Sequence, residues 1–231
     1  MISIENKNLE SLKWLALFSM LGDHINKYLF NGTLPFLFEI GRIAFPVFAF
    51  VIAFNFSRVD AFTSGALKRM CIRLFIFACI SSIPFVLLGG VRFGWWPLNI
   101  LWLFFFASVF VYLLEHKGHV FYIMALLAFI AGATLCEYWI FGMALCLSMW
   151  AYFKTKKLIF IACGLISLLS LQYVNQNYWA LLSVPIILIA MKLNIKMPRM
   201  KYIFYVFYPL HLSALLIVRI PMAKAGYLFF M

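Results

Sequence analysis

Acidic side chains are scarce in this 231-residue chain: Asp and Glu number seven, and charged residues of both signs make up only 11%. A soluble domain carries about 25%, so a water-facing globular surface is excluded. Metal-ligand spacing is missing as well. The five cysteines, Cys71, Cys79, Cys136, Cys146 and Cys163, form no CxxC or His/Cys cluster and lie in or beside apolar segments, so they read as small buried side chains rather than as metal ligands. No internal repeat, inverted half or low-complexity tract is present, unlike many secondary transporters. A small-residue cleavage site is absent after Trp14–Gly22, where Asp23-His24 follows. That stretch reads as an uncleaved first span rather than a secretory leader.

What is present is apolar. Hydrophobic residues make up 66% of the chain and mean hydropathy is +1.02, and a spanning helix needs about 20 mostly apolar residues. Apolar runs bounded by charge or by Gly, Pro and Asn predict nine helices, about 10–30, 40–57, 72–90, 97–114, 120–135, 138–153, 158–171, 178–193 and 202–220. Trp95-Trp96 before Pro97 reads as part of an interfacial aromatic belt.

The net charge of +12 points to nucleic acid in a soluble protein, but here the basic residues lie in short loops between apolar runs. With the N-terminus inside, Lys7, Lys13, Arg58, Lys68, Arg69, Arg73, Lys117, Lys154, Lys156, Lys157, Lys192, Lys196, Arg199 and Lys201 are cytoplasmic, fourteen in all. Only Lys27, Arg42, Arg92, Arg219 and Lys224, five residues, fall on the other side. This asymmetry predicts an all-α, polytopic integral membrane helical bundle with about nine transmembrane helices, N-in and C-out, forming a single transmembrane domain over 1–231. It implies contact with membrane lipid and no nucleic-acid partner. The 57–73 connection predicts a short interfacial helix over Leu67–Cys71, with Lys68, Arg69 and Arg73 facing anionic lipid or a phosphorylated cytoplasmic ligand.

Ionisable groups inside spans cost roughly 2.5–3.5 kcal/mol each, so each needs a partner or a purpose. The first helix carries Lys13, Asp23 and His24; the second Arg42; the fourth Asn99; the sixth Glu137; and the ninth His211. His24 lies eleven residues after Lys13, or about 16 Å further out. Helices running inward bring Arg42, Asn99 and Glu137 to about the depth of Asp23 and His24, while His211 is nearer mid-membrane. A histidine oriented by a carboxylate can take a proton from a hydroxyl or amine. Asp23 and Glu137 are the candidate carboxylates. Because neighbouring helical residues point about 100° apart, Asp23 suits Arg42 or another helix better than His24, and Glu137 is the better orienter. The alternative is an Asp23, Arg42 and Glu137 ion-pair network that only locks the bundle. His211 follows Pro209, which removes a backbone donor and leaves carbonyls for an imidazole to satisfy.

Read together, Lys13, Asp23-His24, GRIAFPVFAF (41–50), Pro97-Leu98-Asn99-Ile100, Glu137-Tyr138 with Gly142, and FYPLHL (207–212) resemble the TraX family in order and spacing over nearly the whole chain. That family is named for acetylation of the conjugative pilin N-terminus and is related to membrane acyltransferases of the acyltransferase-three type, whose first helix carries a basic residue, ten residues, then a histidine. The resemblance implies acetyl-CoA as co-substrate, with no metal. It implies a pilin amine, or a hydroxyl of a surface or lipid-linked glycan, as acceptor at the outer face. It assigns His24 as general base with Glu137 or Asp23 orienting it, Arg42 or Asn99 to the oxyanion, His211 to the catalytic group, and Lys13, Lys68, Arg69, Arg73 and Tyr208 to the donor. An acetyl-histidine route is equally compatible with these residues. Two other function classes stand beside it: a small-solute transporter or channel, which needs polar groups at every depth, and a non-catalytic membrane scaffold, for which His24 serves stability only.

Overall fold

The computed structural model describes residues 6–89, 93–193, 195, 197–198 and 202–227, with side chains from residue 8 onward. Arg92, Lys196, Arg199, Lys201 and the side chain of Lys7, all counted in the charge asymmetry, lie outside the described residues. Regular structure among the described residues is helical throughout, apart from one isolated bridge between Leu98 and Cys136. Pro35–Phe56, Ala66–Leu87, Leu158–Asn175 and Ile203–Lys224 are long and apolar enough to cross a membrane, and shorter apolar helices accompany them. The surface supports this reading. Ile72, Phe75, Ile76, Ile80, Ile83 and Leu87 stand exposed along one helix at three- and four-residue spacing, which is where a soluble protein carries its polar face. Cys79 lies in the same exposed stretch, so it is not the buried side chain its sequence context suggested; in an apolar solvent a thiol gains nothing from enclosure.

The described chain forms two compact units, residues 1–51 with 177–231, and residues 52–176. The first is built around α1 (Asn6–Leu29), which packs against α2 (Pro35–Gly41), α10 (Ser183–Lys192) and α11 (Ile203–Lys224). Leu12, Ala16 and Leu17 of α1 are fully enclosed. α1 is not among the four long apolar helices, because polar residues interrupt it. Several of them are met by the elements packed around it: Asn8 Nδ2 donates to Met191 O (2.8 Å), and Asn26 Oδ1 accepts from the Leu34 N–H (2.9 Å), closing the turn into α2. Lys13 and Trp14 meet Phe204, while His24 further along meets Tyr208 and His211. α1 and α11 therefore run in the same direction.

The predicted 40–57 helix is two: α2 and α3 (Ala44–Phe56). Pro46 offers no N–H to the Arg42 carbonyl four residues back, and its ring crowds that carbonyl. The chain instead turns with tighter bonds, Arg42 N–H to Glu39 O (3.2 Å) and Ile43 N–H to Ile40 O (3.1 Å). Gly41 is required at this bend. A Cβ there would run into the Asp23 side chain, so only glycine lets α2 approach α1 this closely.

The second unit is a succession of neighbours, α4 (Ala66–Leu87), α5 (Ile100–Glu115), α6 (His119–Leu135), α7 (Trp139–Thr155) and α8 (Leu158–Ser170), with α9 (Gln172–Asn175) after them. Gly132 permits the α5–α6–α7 contact, since a Cβ there would meet Met143 Sδ at 2.6 Å and Phe106 Cβ at 3.0 Å. The separate interfacial helix expected over Leu67–Cys71 is instead the opening of α4, which starts at Ala66 after Gly65 in the left-handed region (φ 68°). The apolar run continues without a breaker, so the basic residues ride on the long helix.

Candidate functional site

His24 and His211 face each other across the α1–α11 packing. His24 Nδ1 lies 2.7 Å from His211 Nε2, and the rings are stacked at 5.0 Å with a 17° tilt. His211 Nδ1 lies 2.8 Å from Phe207 O, two residues before Pro209. Pro209 removes the helical donor of Tyr205 O, four residues back, whereas His211 bonds Phe207 O, the carbonyl four residues before the histidine itself, so the carbonyl that the imidazole takes is not the one the proline was expected to free. Tyr208 stands edge-on to both rings, at 6.2 and 5.3 Å, and Tyr28 edge-on to His24 at 5.6 Å. Tyr28, Tyr208 and His211 are buried.

The chemistry of the three partners fixes the protons. A backbone carbonyl only accepts, so His211 Nδ1 carries the hydrogen and donates it to Phe207 O. A neutral His211 then presents Nε2 as a lone pair, and His24 Nδ1–H donates to it. The unprotonated nitrogen of His24 is Nε2, and no described hydrogen bond reaches it. The pair thus holds one imidazole in a single tautomer with its basic nitrogen uncommitted.

Asp23, one residue earlier, points elsewhere, as the 100° step requires. It is ion-paired with Arg42 Nη2 in a half-enclosed position, the partner its helical direction suggested. Arg42 also donates from Nε to Phe38 O (3.1 Å) and lies over the Phe38 ring at 4.3 Å. Lys13 lies on the same stripe of α1 as His24: at 100° per residue, eleven residues return to within about 20° and rise about 16 Å. Its ammonium bonds Glu10 Oε1 at 2.6 Å and sits 4.6 Å from the Phe204 ring centroid.

The remaining predicted residues belong to the second unit. Asn99 is wholly buried and caps α5, accepting the Leu101 N–H on Oδ1 (3.1 Å) while Nδ2 donates to Ala78 O (3.2 Å) and Ser82 Oγ (3.1 Å). Its hydrogen-bonding capacity is taken up by structure. Glu137 opens a constrained corner: its N–H donates to Leu98 O (3.0 Å), and Tyr138 and Trp139 follow with φ of 62° and 47°. Non-glycine residues in that region carry about 1–3 kcal/mol of strain each. At the same corner, burial and the neighbouring Glu137 push the Cys136 thiol well above its usual range. Lys68 and Arg69 are exposed on the first turns of α4, where Arg69 Nη1 donates to Ser64 O at 3.0 Å, and Arg73 follows one turn later.

Two contributors escaped the sequence reading. Glu10 is buried and bonded to Lys13; its three-residue offset from Lys13 was the available signal. The Phe207 carbonyl carries no side-chain signature; its one signal is its place four residues before His211.

A family described as TraX protein matches residues 8–219 of the chain. The chain belongs to the TraX family. No curated protein and no solved structure matches the chain. The TraX match takes in every residue of the site, from Glu10 and Lys13 to His211. TraX membership together with the long apolar helices identifies a helical membrane protein.

Proposed function

We propose that this TraX-family protein is a membrane acetyltransferase that moves acetyl from cytoplasmic acetyl-CoA to an acceptor at the outer face of the bacterial inner membrane, with His24 Nε2 as general base. The observation that supports it most directly is the Phe207 O, His211, His24 chain, which leaves one basic nitrogen uncommitted and held in orientation. His211 takes the orienting role first given to Glu137 or Asp23. As the acceptor N–H or O–H attacks the thioester carbonyl, Nε2 takes its proton, and the imidazolium formed is shared with His211. The C–S bond then breaks, the proton passes to the departing thiolate, and free CoA leaves with the acetylated amide or ester behind it.

Arg42, with five N–H donors on a guanidinium and Asp23 to hold it, is assigned to the oxyanion in preference to Asn99. Lys13, about 16 Å from His24 along one stripe, is assigned to the donor's phosphates with Tyr208 as a further donor contact, and in the second unit Lys68, Arg69 and Arg73 offer basic groups to anionic lipid or a phosphorylated cytoplasmic ligand. An N-in, C-out topology of nine crossings has the parity that parallel first and last helices require. The acceptor is a pilin N-terminal amine or a glycan hydroxyl.

The test is saturable binding and slow hydrolysis of radiolabelled acetyl-CoA by the detergent-solubilised protein, beside His24→Ala. Binding by both with hydrolysis by the wild type alone is expected. Equal hydrolysis by both removes His24 from the mechanism, and no binding by folded protein returns the molecule to the transporter and scaffold classes.

A further inference from the structure

Glu10 sits awkwardly in a phosphate site. Its Oε1 accepts from Lys13 Nζ at 2.6 Å with the two side chains only 8% and 19% exposed, in the order Glu10, Lys13. Its second oxygen, Oε2, is fully buried with no hydrogen-bond partner. A lock between the two side chains needs one oxygen only, and a buried oxygen left dry is destabilising. The carboxylate lies against Lys13 through its other oxygen. Any phosphate reaching that ammonium therefore meets a fixed anionic neighbour, which disfavours a bare phosphate. A phosphate carrying a hydroxyl or amide N–H beside it satisfies both groups: the ammonium takes the phosphate, and Oε2 receives the missing donor.

We propose that Glu10 and Lys13 form a two-point recognition element for the acyl donor, Lys13 taking a phosphate and Glu10 Oε2 accepting an O–H or N–H carried next to it. The inference rests on the acetyl-CoA reading above. It makes Glu10 a specificity residue that favours the donor over simple polyphosphate. Two parts of such a donor have this chemistry, the pantetheine arm beside its phosphate and the ribose hydroxyl beside the nucleotide phosphates.

The test is equilibrium binding of 4′-phosphopantetheine, adenosine 3′,5′-bisphosphate and inorganic pyrophosphate to the solubilised full chain, wild type and Glu10→Ala. Glu10→Met, which fills the volume without an acceptor, serves if Glu10→Ala does not fold. The readout is the preference of each organic ligand over pyrophosphate. Loss of a charged hydrogen bond should lower that preference about tenfold for one of the two, which also identifies the part of the donor that binds. An unchanged preference, whether every ligand weakens equally or every ligand tightens equally, makes Glu10 a counter-ion for Lys13 and overturns the proposal. So does a wild type that binds none of the three. Acetyl-CoA turnover by the wild type separates the two readings: turnover with unchanged preference removes only the role of Glu10, whereas no turnover and no binding remove the acetyltransferase reading too.

Discussion

The molecule contains two buried polar clusters that look alike in sequence and differ in what they leave over. Around Asn99, the side-chain oxygen caps α5, the amide hydrogens reach Ala78 O and Ser82 Oγ, and Trp102 Nε1 also donates to Ser82 Oγ at 3.1 Å. Around His24, the relay through His211 ends on Phe207 O, and one basic nitrogen stays outside it. A closed network specifies a fold. An open one has a valence left for chemistry, and it is on this difference, more than on burial or polarity, that the proposed function rests.

The comparison is broken most severely at His24. His24→Ala should lower the transfer rate by about a thousandfold, the range of a lost general base, while the protein stays folded and membrane-inserted; transfer assays on equal amounts of monodisperse protein measure this. His211 sharpens it. His211→Phe keeps a ring but no acceptor for His24 Nδ1–H, and should cost about a hundredfold in kcat, whereas His211→Gln supplies an oxygen and should recover to within about tenfold of wild type. Equal losses in the two variants would reduce His211 to a packing residue. The closed cluster should respond in the other currency: Asn99→Ala loses a cap and leaves buried partners unmet, about 2–3 kcal/mol of stability, with the rate per folded molecule retained. Denaturant unfolding in detergent, paired with the transfer assay, reads both. The smallest effect is expected at Lys13, where Lys13→Ala should raise KM for acetyl-CoA about tenfold and leave kcat near wild type, the pattern of lost ground-state binding.

Much of this was legible in the sequence, for reasons that differ by residue. The apolar runs mark the helical segments because a bilayer demands long uninterrupted hydrophobic stretches. The Asp23–Arg42 pair followed from helical direction and from the cost of leaving either charge alone. Other features were written in the chain but overridden by the hydropathy pattern: Pro46 foretells the break between α2 and α3, and Asn99 before an apolar run is an N-cap signal, yet both lie inside segments that read as continuous spans. The His24–His211 contact joins residues 187 apart, and no local periodicity encodes such a pairing. Glu137 was the preferred orienter because helical depth alone was available; the proposed function gives that role to His211 on the ring-to-ring contact.

The relay joins α1 and α11, and its two histidines are made 187 residues apart. His24 therefore enters the membrane long before its partner exists, and its Nδ1–H has no His211 to meet until synthesis has passed residue 211. Catalytic competence in this reading is a property of the finished chain: a nascent or C-terminally truncated protein, however well its earlier helices insert, carries the base without the group that orients it. On the proposed function, assembly thus acts as its own timer, keeping partly made molecules from spending the acyl donor.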